Sequence, residues 1–395
     1  MDDEDNPTTS TLYSWEKDIV RSWETLEEDE TGKIKDSSSF EQDQTRRRRK
    51  KTQPKVRRGL IRFLVLVLDL SREARDSDLK PSRGEVCLSL SQNFLRSYFD
   101  ENPISQLAIV ALRDGVAEKL SSMGSNPRQH LEVLKNAAQK GFYGSCSLQN
   151  GLDMALSLLR SIPSYGSREV LLLYNSISSC DPGDIRQTIE NVEKEKIRCS
   201  VIGMAAELYI LKYLSIKTHG SYFVCMNESH LWDLLENFVT PSAAAIEDKT
   251  RGTLVHMGFP SLKTFKEPKI CLNDRILRSQ VFVCPRCECC YGEIPIECIL
   301  CGLVLVSSSQ LARSYHHIFP VANFSECNNN IQSRAQVCFG CKAAFPRESS
   351  EYFVCPNCQN MFCGICDIFI HDSLNNCPGC ETNSNKRTAP LTQVS

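Results

Sequence analysis

Twelve of the 21 cysteines in this 395-residue chain fall into six Cys-x-x-Cys pairs, all of them beyond residue 280. A thiolate is the soft, anionic ligand that a tetrahedral zinc ion prefers, and two thiolates on one tight turn grip an ion from one side. Cys284 and Cys287, ten residues, then Cys298 and Cys301 followed by Gly302 make a zinc-ribbon pattern. Gly302 lets the second turn reverse without a Cβ in the way. Cys289 and Cys290 lie between the two pairs and are read as spare thiols.

The other eight thiols form the pairs Cys338/Cys341, Cys355/Cys358, Cys363/Cys366 and Cys377/Cys380, separated by thirteen, four and ten residues. A short middle gap between longer outer ones is the spacing of a RING-type cross-brace. There the first and third pairs share one zinc and the second and fourth share another. Two sequential ribbons are the alternative. Three zinc ions are expected in all. One cysteine alone reads as a buried, inert thiol, but twelve in this pattern do not. Four thiolates around one ion also leave no open position for a reacting water, so these sites read as structural rather than catalytic. The region has too few apolar residues to fold without metal. His316, His317 and His371 are read as ordinary surface or core residues, and Cys271 and Cys327 stand outside the pairs.

The elements ahead of these sites alternate between strand and helix. Residues 59–240 read as an α/β domain. Leu60–Leu68 is a nearly continuous apolar strand of the kind buried on both faces of a parallel sheet. Val86, Leu90, Phe94 and Tyr98 recur at helical spacing. Leu107–Leu112 and Val116–Leu120 flank Asp114-Gly115, a two-residue hairpin signal. Leu148, Leu152, Ala155, Leu159 and Ile162 make a second helical stripe. Strands are then expected at Val170–Tyr174, Val201–Met204 and Tyr222–Cys225, and helices at Pro182–Glu195, Leu208–Ile216 and around Leu231–Phe238. This order predicts a mostly parallel sheet with one antiparallel edge strand and helices on both faces.

The remaining segments read as follows. Residues 1–45 are an acidic arm, with fourteen Asp/Glu against four Lys/Arg; Trp15 and Trp23 fit either a solvated tail or a short amphipathic helix. Residues 46–58 are a basic linker whose run Arg46, Arg47, Arg48, Arg49, Lys50 and Lys51 reads as a nuclear-import signal. Residues 241–283 are expected as an extended linker, 284–320 as the ribbon region, 321–337 as a linker, 338–382 as the eight-cysteine domain and 383–395 as a disordered tail. The acidic start is the opposite of a secretory leader, and Phe63–Leu68 is too short to span a bilayer. Unpaired thiols in such numbers point to a reducing compartment, nuclear or cytosolic. A formal net charge of −2 argues for no general attraction to nucleic acid. Direct DNA contact through Arg46–Arg62 is a weak reading, because no aromatic interleaves that run.

Several longer motifs are specific. Ala312-Arg-Ser-Tyr-His-His-Ile-Phe-Pro320 after a ribbon, Phe362-Cys-Gly-Ile-Cys-Asp-Ile-Phe-Ile-His-Asp-Ser-Leu374 and Cys377-Pro-Gly-Cys380 closely resemble the von Willebrand A/zinc-finger subunits of the transcription and repair factor TFIIH. Asn102-Pro-Ile-Ser-Gln106, Ser167-Arg-Glu-Val170, Cys180-Asp-Pro182, Val201-Ile-Gly203 and Met257-Gly-Phe-Pro260 extend the resemblance over nearly the whole chain, as does Arg21-Ser-Trp-Glu-Thr-Leu26.

The resemblance implies a von Willebrand A domain followed by zinc modules. It also implies a non-enzymatic nuclear subunit that binds and activates the XPD helicase. The further partners it implies are a second von Willebrand A/zinc-finger subunit, the other core subunits and, indirectly, the RNA polymerase II initiation machinery. A RING-type ubiquitin ligase is the competing class. Against it, Gly340 stands where ligases present an aliphatic contact, and all eight ligands are Cys.

Many A domains bind Mg²⁺ through Asp-x-Ser-x-Ser after the first strand. Here the run is Asp69-Leu-Ser71-Arg-Glu73, and the later strand ends in Asn175 rather than an acid. Asp69, Ser71 and Asn175 are read as a degenerate site, with repair by Glu73 or Asp181 the lesser alternative. The loop Asn175–Gly183 is the candidate helicase contact through Ile177 and Asp181, Asp181 reading otherwise as the cap of the next helix.

Overall fold

The computed structural model describes residues 59–163, 165–241, 255–318, 321–327, 337–345 and 352–384. The acidic arm, the basic run Arg46–Lys51 and the last residues of the chain lie outside them. A six-stranded sheet runs in the order β3-β2-β1-β4-β5-β6. Its strands are β1 (Arg62–Asp69), β2 (Gln106–Arg113), β3 (Val116–Gly124), β4 (Ser167–Tyr174), β5 (Arg198–Gly203) and β6 (Tyr222–Val224). All neighbours are parallel except β2 and β3, which are joined by the tight turn at Asp114 and Gly115. Both turn residues have positive φ, 49° and 71°, the requirement of a hairpin turn whose twist matches its strands.

The central strand β1 is buried at all eight positions, as a strand covered on both faces must be. Its alternate side chains feed two cores. Leu64, Leu66 and Leu68 join a layer built on α1 (Arg83–Glu101), α2 (Pro127–Gln139) and α6 (Glu228–Val239). Phe63, Val65 and Val67 join the opposite layer, built on α3 (Leu148–Arg160), α4 (Ile185–Lys194) and α5 (Tyr209–Lys217). Five of these six helices start on a side-chain cap: Ser82, Asn126, Ser147, Asp184 and Asn227 each accept an N–H of the first turn.

Three expectations change. The helix expected over Pro182–Glu195 starts three residues later, because Asp184, not Asp181, is its cap. Helix α2 was not foreseen, since only His130, Leu134 and Ala137 of its thirteen residues are buried and one of those is polar. The region expected as an extended linker holds β7 (Met257–Gly258) and a long hairpin, β8 (Ser261–Ile270) with β9 (Leu277–Val283). Almost every residue of β8 faces solvent, so no apolar alternation announces it.

Arg62, the last residue of the expected basic stretch, is buried and not a surface cation. Its Nη2 donates to Glu169 Oε2 at 2.7 Å and its Nη1 to the Val239 carbonyl at 2.8 Å, with Phe238 O accepting at 3.0 Å. The start of the first strand is thereby tied to the end of the last helix. Burial opposes both charges, but mutual attraction outweighs it. The guanidinium titrates above its ordinary value and the Glu169 carboxyl below.

Downstream, β10 (Cys290–Tyr291) adds to β9, and β11 (Ile296–Glu297) pairs with β12 (Val304–Leu305), which also pairs with β7. Helix α7 (Ser308–Ile318) follows. The C-terminal module has β13 (Ser325–Cys327), β14 (Tyr352–Val354), β15 (Met361–Cys363) and the short helices α8 (Gly364–Phe369) and α9 (Pro378–Ser384). Among the described residues no helix is long and apolar enough to cross a membrane.

Candidate metal centres and the carboxyl edge of the sheet

Four of the six cysteine pairs sit on one kind of turn. The residue after the second cysteine has positive φ: Glu288 (60°), Gly302 (67°), Lys342 (61°) and Gln359 (57°). Its N–H donates back to the carbonyl of the pair's first cysteine, at 3.0, 2.8, 2.9 and 2.8 Å respectively. The reversal aims both thiols to one side. Only one of the four turns uses glycine, so the other three bear the left-handed conformation with a side chain in place.

The remaining two pairs open helices. Cys363 precedes α8, and the Cys377 carbonyl accepts the N–H groups of Cys380 and Glu381 as α9 begins. The start of a helix suits a thiolate, because its free N–H groups and dipole favour negative charge.

These six pairs meet in three groups of four thiols, each with all Sγ atoms within 4.8 Å of one another. Cys284, Cys287, Cys298 and Cys301 form one. Cys338 and Cys341 meet Cys363 and Cys366, and Cys355 and Cys358 meet Cys377 and Cys380. The last two groups interleave along the chain, first pair with third and second with fourth. Each joins one reversed turn to one helix start, whereas the first group joins two turns. Four thiolates at about 2.3 Å from a tetrahedral ion stand about 3.8 Å apart. The Sγ–Sγ separations of 3.7 Å (Cys284–Cys301), 3.8 Å (Cys341–Cys363), 3.6 Å (Cys355–Cys380) and 3.7 Å (Cys358–Cys377) match, and Cys287–Cys298 is closer at 3.3 Å. Each group can hold a metal ion, and an all-sulfur tetrahedral set is the preference of zinc.

Supporting contacts keep the thiols in place. Tyr291, fully buried, donates its hydroxyl to Cys298 Sγ at 3.2 Å and accepts the Ile299 N–H at 2.9 Å. Burial would raise the Cys298 thiol, but the Tyr291 hydroxyl and the Cys301 N–H bring it down to about 6. At Gly340 a Cβ would lie 2.9 Å from Cys366 Sγ, so the knuckle closes only without a side chain there. His371 is a clamp and not a member of any group: Nδ1 contacts Asp367 and Nε2 reaches the Ala322 carbonyl. His317 Nε2 meets the Glu101 carbonyl at 2.9 Å. Cys289 and Cys290 stay outside the groups.

The carboxyl edge of the sheet is built on the opposite plan. Asp69 is buried, and its carboxylate accepts four donors of the protein itself. Oδ1 takes the Ser71 N–H at 3.1 Å; Oδ2 takes the N–H of Asn175 at 2.9 Å, the N–H of Ser176 at 2.8 Å and the Ser176 hydroxyl at 2.6 Å. The Asn175 amide donates to the Asp69 carbonyl at 2.6 Å. Asp69, Ser71 and Asn175 are thus brought together, and Ser176 joins them, with its Oγ 2.9 Å from Ser71 Oγ. Ser176 was not singled out in the sequence; its signal was a second small polar residue after β4.

The two suggested repair residues point elsewhere. Glu73 accepts the Ile177 N–H at 3.2 Å and faces the Ser178 hydroxyl at 3.5 Å. Asp181 accepts the Gln149 N–H at 2.8 Å and the Ser147 hydroxyl at 3.0 Å. Asp181 therefore caps α3, 34 residues upstream, and not the helix that follows it. Ser179 accepts the Leu148 N–H at 2.9 Å, Cys180 N–H donates to Cys146 O at 2.7 Å, and Gly183 N–H donates to Gln149 Oε1 at 2.7 Å. This lattice fixes the loop 175–183 while Ile177 stays 65% exposed.

The sequence comparisons with known proteins agree with one another. An Ssl1-like family matches residues 67–260, and a TFIIH C1-like domain matches residues 337–382. The chain is 39% identical to general transcription factor IIH subunit 2 of Arabidopsis thaliana, over 96% of this chain and 94% of that protein. It is 40% identical to the protein of the same name in Dictyostelium discoideum, over 96% and 85%. It is 38% identical to general transcription and DNA repair factor IIH subunit ssl1 of Schizosaccharomyces pombe, over 94% and 91%. Among solved structures, the SpRpn10 VWA domain is similar at a TM-score of 0.39 and 15% identity, covering 47% of this chain and 99% of that one.

Proposed function

We propose that this chain, which belongs to the Ssl1-like family of TFIIH subunit 2 proteins, is a non-catalytic core subunit that holds and stimulates the XPD helicase. Membership makes it a TFIIH subunit of transcription and DNA repair, with a von Willebrand A fold and cysteine-built zinc-type modules. The finer reading is ours. The α/β domain contacts the helicase through its carboxyl edge. The zinc modules, with three zinc ions, hold a second von Willebrand A/zinc-finger subunit and the rest of the core. The protein works in the nucleus and serves the RNA polymerase II initiation machinery through the complex.

One observation carries the helicase contact. A relative with an intact cation site would bind a partner carboxylate at this edge, but here the Asp69 oxygens are committed to protein donors. What the edge offers instead is Ile177, an exposed aliphatic side chain on a loop pinned from both sides. A pinned apolar side chain loses little entropy on binding and suits a packed contact. In the full-length protein, Ile177→Asp should lower XPD binding and helicase stimulation at least tenfold, with metal content and melting temperature unchanged. Stimulation at the parent level would place the contact elsewhere.

The ligase alternative is disfavoured by the same local chemistry. The aliphatic contact that such enzymes present would sit at position 340, where any Cβ meets a ligand sulfur.

A further inference from the structure

Strand β12 has two faces that belong to two different cores. Leu305 is fully buried in the ribbon, packed with Cys284, Tyr291 and Cys298, and Leu303 sits on the same side. Val304 and Val306 point the other way. Both are buried in the α/β domain's second core, with Ile61, Phe63, Ile104 and Leu159. The alternation follows from the two-residue period of a strand. One short strand is therefore a wall shared by the metal centre and the α/β domain.

Its position is set by the ribbon. Cys298 N–H donates to the Leu303 carbonyl at 2.8 Å, and the Gly302 N–H returns to Cys298 at 2.8 Å, so the metal turn fixes where β12 begins. On its other edge β12 is held by β7, with Val304 N–H on His256 O and Val306 N–H on Gly258 O, each at 3.1 Å. Polar ties cross the same junction. The Tyr165 hydroxyl donates to Glu297 at 2.8 Å and the Asn126 amide to Glu293 at 3.0 Å. Leu311 of α7 packs into the same α/β core, and His317 reaches the Glu101 carbonyl. A slip of one residue in β12 would exchange its faces, driving Leu305 into the α/β core and Val304 into the ribbon.

We infer that the ribbon cluster is a metal-dependent lock on the floor of the α/β domain: occupancy of Cys284, Cys287, Cys298 and Cys301 sets the local stability of the sheet's amino-terminal edge. The eight-cysteine module has no such role, because its core is built from its own residues. A chain that loses the ribbon metal, by chelation or thiol oxidation, loosens the α/β domain from below, whatever partner that domain carries. Linkage makes the effect reciprocal: a disturbed floor must weaken the hold on the ion by the same factor.

The test uses full-length, zinc-loaded protein and amide hydrogen exchange read by mass spectrometry. In Cys298→Ser/Cys301→Ser, exchange in residues 61–66, 104–108 and 159–163 should accelerate at least tenfold. In Cys355→Ser/Cys358→Ser it should stay at the parent rate. Equal rates in the ribbon variant and the parent would overturn the lock, and so would equal acceleration in both variants. A second arm needs no cysteine change. Val306→Asp should speed zinc release from the ribbon to a chelating dye at least tenfold, while Ile216→Asp, exposed on α5, should not. Release unchanged in Val306→Asp would be equally fatal.

Discussion

Two regions of this molecule bring together residue types that can hold a metal, and they differ in what surrounds the ligand atoms. At the carboxyl edge of the sheet, Asp69 lies among N–H and O–H donors, four of them within 3.1 Å of its oxygens. In each of the three cysteine groups four thiols face one another within 4.8 Å, and the donors that reach them, such as the Tyr291 hydroxyl on Cys298 and the Cys363 N–H on Cys338, touch single sulfurs. A buried anion needs compensation. Asp69 obtains it from the polypeptide, and the cysteine groups are arranged so that an ion could supply it. Ligand type alone does not decide whether a site wants a metal; the donors already in contact with it do.

The largest effect that sharpens this contrast comes from removing the ions. Structural zinc contributes on the order of 10–16 kcal/mol in small modules. Strong chelation should unfold the eight-cysteine module outright, and metal analysis of the parent should return three equivalents. Cys355→Ser should return two; three equivalents in that variant would break the assignment of Cys355 to a centre.

The carboxyl edge should respond to the opposite treatment. Millimolar Mg²⁺ should leave the melting temperature of the full-length protein unchanged, because binding would first have to displace protein donors. Asp69→Ala, in contrast, strands several buried donors and should cost about 3 kcal/mol in urea unfolding. Stabilisation by Mg²⁺ would show that the donors yield to an ion and that the two regions are alike.

The smallest effect concerns the loop beside that edge. Asp181→Ala removes the acceptor for the Gln149 N–H and should lower stability by about 1 kcal/mol, the ordinary worth of a helix cap. Faster amide exchange should appear at the start of α3 rather than at α4. Exchange centred on α4 would return Asp181 to the helix it precedes.

These particulars show where sequence reasoning reaches and where it stops. The mostly parallel sheet with one antiparallel edge strand was legible because β1, β2 and β4 are apolar runs and Asp114-Gly115 marks the one antiparallel turn, while the strand order was not read. The cysteine spacing was equally visible, and the same twelve thiols meet in three groups. The conformation of the turns was visible only at Gly302, since Glu288, Lys342 and Gln359 adopt it without a residue that advertises it. Asp181 was assigned to the nearer helix because a cap is a local signal, while its true partner is 34 residues back and becomes adjacent only through the sheet. Strand β8 escaped for want of a buried face, and Val304 and Val306 because their partners lie in another domain's core.

The Arg62 contacts carry a mechanical consequence. The chain enters the α/β domain at β1 and leaves it after α6, and one guanidinium binds both places at once, through Glu169 on the sheet and the carbonyls of Phe238 and Val239 on the helix. Entry and exit are fastened at a single knot. Separating the first strand from the last helix of the domain therefore means breaking several bonds of one side chain together. Ile177 follows the carboxyl end of β4, at the other end of the strands from Arg62. A substitution at the carboxyl edge can therefore be made without touching the side chain that fastens entry to exit.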